Sequence, residues 1–143
     1  MLIKVLSRIE AERFSRINPE EKTVIISIVN VGDEEADLKD QPNIIDVLRL
    51  SFDDVYQGGE NCMTDDDARK IAEFVNRYKD VAEQIVIHCG AGVSRSAGVG
   101  SALAFVLNGN EKELEHSAFF IPNTTVFQKV LKAFWGEVFN VSN

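Results

Sequence analysis

Residues 85–98 read IVIHCGAGVSRSAG, and the reading of the whole chain turns on them. Ile85-Val86-Ile87 is an apolar run of the kind that forms a buried strand. It ends in His88-Cys89. A loop of small residues, Gly90 to Ser94, leads into Arg95-Ser96. From Ser96 to Leu107 the chain is apolar on most sides, which predicts a buried central helix ended by Asn108-Gly109.

Glycines open backbone conformations closed to other residues. In a strand–loop–helix turn, successive N–H groups can then face one concavity, and the helix N-terminus adds partial positive charge. Such a cup holds an anion such as phosphate. Arg95 can add two parallel hydrogen bonds to phosphate oxygens. The same field favours a thiolate at Cys89, a nucleophile aimed at phosphorus. Taken alone, a cysteine after an apolar strand is a small buried hydrophobe; the loop and the arginine beside it point to phosphoryl transfer.

His88-Cys89, five residues and Arg95-Ser96 fit the Cys-x5-Arg signature, and HCGAGVSRS resembles the HCxAGxSRS loop of the dual-specificity branch of the protein tyrosine phosphatases. LRLSFDD, residues 48–54, resembles the upstream acid loop of that family, and PNTTVFQKVL resembles its Pro-Asn helix start. The resemblance implies a phosphocysteine at Cys89. It implies phosphate binding by Arg95 and the backbone of Gly90, Ala91, Gly92, Val93 and Ser94. Ser96 would hydrogen-bond the sulfur and help it leave, and His88 would shape the loop and tune Cys89. The family draws its general acid from an aspartate upstream, where this chain has Asp53 and Asp54; the resemblance favours Asp54, the second acidic position, with Asp53 as alternate or loop cap. The proline that often accompanies this loop is missing.

Outside the motif, strands are expected at Leu2 to Leu6, Thr23 to Val29 and Ile44 to Leu50, and a helix at Ser7 to Phe14. Asp33 to Pro42 is acidic and turn-like, and Ser51 to Met63 reads as a loop. Thr64-Asp65-Asp66-Asp67 reads as the capped start of a helix carrying Ala68, Ile71, Ala72, Val75 and Tyr78 inward. Asn123-Thr124 begins the last helix, with Phe127, Leu131, Phe134 and Val138 on one face and Trp135 also in the core. Alternating strands and helices imply an α/β fold with a central, mainly parallel sheet flanked by helices; the resemblance implies that residues 1–143 form a single phosphatase domain, dual-specificity phosphatase-like.

Composition narrows the functions. Hydrophobic residues make up 45% and charged residues 27% of the 143, and the net charge is −8. That balance argues against a nucleic-acid partner. No apolar stretch reaches the roughly 18 residues of a membrane span, and the N-terminus turns charged too soon for a signal peptide. Two cysteines make no disulfide framework, so a cytoplasmic, reducing compartment is expected; a monomer is expected as well. Cys62 reads as structural, with a redox bond to Cys89 as the alternative. His116 reads as a surface residue without metal-ligand neighbours, and neither metal nor cofactor is expected.

The expected reaction is metal-independent hydrolysis of phosphomonoesters on tyrosine, serine or threonine of proteins, or of a small phosphomonoester. The alternative is a module of the same fold that binds a phospho-ligand without turning it over. Arsenate reductases and low-molecular-weight phosphatases carry the motif near their N-termini, unlike this chain. Sulfurtransferases usually lack its Arg-Ser ending.

Overall fold

The computed structural model describes residues 1–140, with side chains described as far as residue 136. The strand read from the motif, β4 (Gln84–Cys89), is the middle of a five-stranded sheet and is buried along its whole length. It pairs in parallel with β2 (Thr23–Val29) on one side and β1 (Leu2–Ser7) on the other. β3 (Ile44–Ser51) adds to β2, and β5 (Leu114–Glu115) adds to β1, giving the order β3-β2-β4-β1-β5. Every pairing is parallel. A parallel strand buried on both faces needs a near-continuous apolar run, and TVIISIV and QIVIHC supply it. The two-residue β5 left no periodic signal in the sequence.

Alternation along β4 divides its side chains between the two faces. Ile85, Ile87 and Cys89 join the main core, which also holds Ile3, Val5, Ile26, Phe52, Ile71 and Leu103. His88 points the other way. α3 (Arg95–Leu103) packs on β1 and β4, and α4 (Thr124–Asn140) packs on both α3 and α2 (Asp65–Tyr78). α1 (Arg8–Phe14) packs on β1 and β4.

The helix starts follow the capping rules. Thr64 accepts from the N–H of Asp67, and the Asp67 carboxylate accepts from the N–H of Thr64, the reciprocal box expected there. Ser7 and Glu10 build the same box for α1, so Ser7 is its cap rather than its first turn.

Two core expectations need correction. The helix after the loop begins at Arg95, one residue early, and its end, Ala104–Asn108, widens into a π-helical turn. There Phe105 is 57% exposed, so the apolar run outlasts the buried part of the helix. Trp135 is 57% exposed rather than core. The fully covered stripe of α4 is Val126, Val130 and Phe134, with Phe127 and Leu131 half-buried at its edge. Trp135 follows directly after the last of these and falls outside the stripe. Val138 lies outside the residues whose side chains are described. Among the described residues, no helix is long and apolar enough to cross a membrane.

Candidate active site

Cys89 is the last residue of β4 and is 2% exposed. Residues 90–94 turn the chain back into α3. The turn depends on Gly92, whose φ is +73°. A Cβ there would stand 2.6 Å from the backbone of Leu6 and Ser7, so both the torsion and the close approach to β1 require glycine. The loop is tied down by its carbonyls. Gly90 O accepts from Arg8 N–H at 3.0 Å, Val93 O from Ile121 N–H at 2.9 Å, and Ser94 O from Asn123 N–H at 3.0 Å. Among the described residues, no backbone N–H of Gly90 to Ser94 donates to a protein acceptor. The loop spends its acceptors on the fold and keeps its donors.

Arg95 opens α3 and is 7% exposed. Its Nη1 donates to Asn30 Oδ1 at 2.7 Å and to the carbonyl of Phe52 at 2.8 Å. The opposite edge of the guanidinium, Nε with Nη2, is the fork that grips phosphate. Nε is buried without a partner, and Nη2 lies against Gly90, 3.5 Å from where a Cβ would be. A buried donor left unpaired costs free energy, and an anion in the loop would remove that cost. A small cavity of about 50 Å³ beside Arg95 is lined by Arg8, Asn30, Asp33 and Gly90 among others.

Ser96 Oγ is 3.0 Å from Cys89 Sγ, both groups being buried, so the hydroxyl can donate to the sulfur. His88, on the other face of β4, does not approach that sulfur through a hydrogen bond. Its Nδ1 donates to the carbonyl of Cys89 at 3.2 Å, which leaves Nε2 to accept from Ser27 Oγ at 2.6 Å. Burial lowers the pKa of His88 below the ordinary imidazole value, so it is a neutral strut beneath the loop.

The two aspartates have different partners. Asp53 accepts from the backbone N–H of Val31 at 3.0 Å and from Asn61 at 3.2 Å, which makes it a brace between loops. Asp54 accepts from Ser94 Oγ at 2.8 Å and from Asn123 Nδ2 at 2.9 Å, both on Oδ1. Its carboxylate therefore stands on the phosphate-binding loop itself, and it is the exposed member of the pair.

Cys89, Arg95, Ser96 and Asp54 thus gather around the loop 90–94, whereas His88 lies on the other face of β4 and Asp53 braces Val31 and Asn61. Sequence reading missed two others. Asn30 anchors Arg95; its only signal was a polar residue just past the apolar strand β2. Asn123, read as a helix start, also bridges the acid loop and α4. Cys62 and Cys89 are both free thiols, Cys62 half-buried. His116 is exposed as expected and stacks on Phe120, with ring centroids 3.8 Å apart.

Comparison with solved structures gives the fold: it is that of tyrosine and dual-specificity phosphatases. Human DUSP28 is similar with a TM-score of 0.60 and 14% identity, over 99% of this chain and 95% of that one. PTPMT1 in complex with PI(5)P is similar with a TM-score of 0.54 and 20% identity, over 99% and 95%. The human tyrosine phosphatase-like serine/threonine/tyrosine-interacting protein has a TM-score of 0.55 and 16% identity, over 82% and 78%. No family model matches the chain, and no curated protein matches it in sequence.

Proposed function

We propose that the chain hydrolyses phosphomonoesters through a phosphocysteine at Cys89, acting on phosphorylated tyrosine, serine or threonine side chains of proteins. The observation that carries this reading is Arg95. Its Nη1 is pinned by Asn30 and Phe52, while Nε on its phosphate-gripping edge is buried and unpaired beside the cysteine loop. That is a preorganised anion site, which costs no reorganisation when the ligand arrives.

In the first step the Cys89 thiolate attacks phosphorus. The S–P bond forms, the P–O bond breaks, and Asp54 gives its proton to the leaving oxygen. Loop N–H groups and Arg95 carry the charge that develops on the equatorial oxygens. In the second step Asp54 takes a proton from water as that water attacks phosphorus. The S–P bond breaks, and the Ser96 hydroxyl, 3.0 Å from the sulfur, supports the departing thiolate. The thiolate must stay reduced, which fits the cytoplasmic compartment we infer.

A singly phosphorylated side chain is favoured over a polyanionic headgroup. The loop GAGVS carries no lysine, and Asp33 lines the cavity beside Arg95. PTPMT1 in complex with PI(5)P is the contrary precedent within this fold.

The test is hydrolysis of p-nitrophenyl phosphate in EDTA and a thiol reductant. Wild type should turn over and Cys89→Ser should not. Folded, reduced wild type that binds vanadate without turnover would overturn the enzyme reading in favour of a binding module.

A further inference from the structure

Asp54 receives both of its hydrogen bonds on one oxygen, Oδ1, and the two donors differ in kind. The Ser94 hydroxyl can rotate and either donate or accept. The Asn123 NH2 group can only donate. Nor can the Asn123 amide turn over, because its own Oδ1 accepts from the N–H of Val126 at 3.1 Å and caps the start of α4. The second proton on Nδ2 goes to the carbonyl of Val55 at 3.1 Å, and the backbone N–H of Asn123 goes to Ser94 O at 3.0 Å. Asn123 is 1% exposed. One buried residue therefore ties the acid loop, the phosphate-binding loop and α4 together, with its amide direction fixed by the helix.

A proton on Asp54 Oδ1 would make that oxygen a poorer acceptor for both donors. The acid form therefore favours its proton on Oδ2. We infer that Asn123 is a positioning residue that orients the Asp54 carboxyl group, so that Oδ2 is the oxygen that gives and takes the proton. The inference rests on the reading of Asp54 as general acid. It adds an economy to both steps. Oδ2–H passes to the leaving oxygen as the P–O bond breaks. Oδ2 then receives the proton of the attacking water as the S–P bond breaks. Oδ1 remains an acceptor throughout, so the carboxyl group need not rotate between steps.

The test uses leaving-group dependence, which a purely structural role would not change. p-Nitrophenyl phosphate releases an anion that barely needs a proton, whereas phenyl phosphate releases one that does. Asn123→Asp keeps a side-chain oxygen to cap α4 and loses both donors. Its kcat/KM should fall about tenfold on phenyl phosphate and about threefold or less on p-nitrophenyl phosphate. In an Asp54→Ala background the same change should cost less than about twofold, because nothing remains to orient. Asn123→Ser, another capping residue, carries the same expectation should Asn123→Asp fail to fold. A uniform loss on both substrates, an equal loss in the Asp54→Ala background, or failure of both variants to fold would make Asn123 structural and overturn the inference. Absent wild-type turnover, or turnover surviving in Cys89→Ser, would instead defeat the underlying phosphatase reading.

Discussion

The phosphate-binding loop runs straight from β4 into α3, while the acid loop wanders from Phe52 to Thr64 between β3 and α2 with no regular structure. The first has its ends set by a central strand and a buried helix, and its shape by one glycine wedged against β1. The second is held by partners far along the chain. Val31 is bonded to Asp53, Ser94 and Asn123 to Asp54, and Thr125 to the N–H of Gln57. Both loops have tertiary ties, but only the first is also flanked directly by a central strand and a buried helix. Damage to the first should abolish binding of the anion or the fold; damage to the second should slow proton transfer and leave the cup intact.

The largest effect is expected at Arg95. Arg95→Lys keeps the charge but loses the planar fork and the anchoring of Nη1, and kcat/KM for p-nitrophenyl phosphate should fall by about 10³-fold. Vanadate binding should weaken with it.

The two aspartates come next. Asp54→Ala should lower kcat by about 10²-fold on a substrate with a poor leaving group. Vanadate binding should remain near that of wild type. Asp53→Asn can still accept from Val31 N–H and should cost less than about tenfold. Steady-state kinetics on the pair sharpens the contrast, and the reverse ranking would move the acid to Asp53.

Gly92→Ala acts on stability. A side chain at φ +73°, 2.6 Å from the backbone of Leu6, should cost about 2 kcal/mol or more, read as a lowered denaturation midpoint in urea.

The smallest effect concerns pH. The folded-state pKa of His88 is depressed below 6.5 by burial. As pH falls through 6.5, the unfolded chain takes up the proton first, so the stability this residue allows is full above that value and declines below it. Thermal midpoints should fall on acidification through that range, and His88→Gln should show a shallower decline there.

How much of this was legible in the sequence follows the same division. Cys89, Arg95 and Ser96 share one contiguous motif whose strand–loop–helix setting can be read from hydrophobic pattern alone. The Thr64–Asp67 box is local too, and it sits where capping chemistry puts it. Hydrophobic pattern alone does not separate Asp53 from Asp54; the resemblance favoured Asp54, and the two adjacent carboxylates differ in their partners, Asn61 for one and Asn123 for the other. Asn30 was invisible because its meaning lies in Arg95, 65 residues away. Trp135 misled because the apolar face was centred on Phe127 and Leu131, whereas the buried stripe passes through Val126, Val130 and Phe134.

The most direct test of the central claim is to trap the intermediate. Wild type and Asp54→Ala would be mixed with excess p-nitrophenyl phosphate, quenched in denaturant within one turnover, digested, and analysed by peptide mass spectrometry. The account predicts one added phosphoryl group on the peptide bearing Cys89, absent from Cys89→Ser. A phosphoryl group on any other residue, or turnover with none on Cys89, would contradict it.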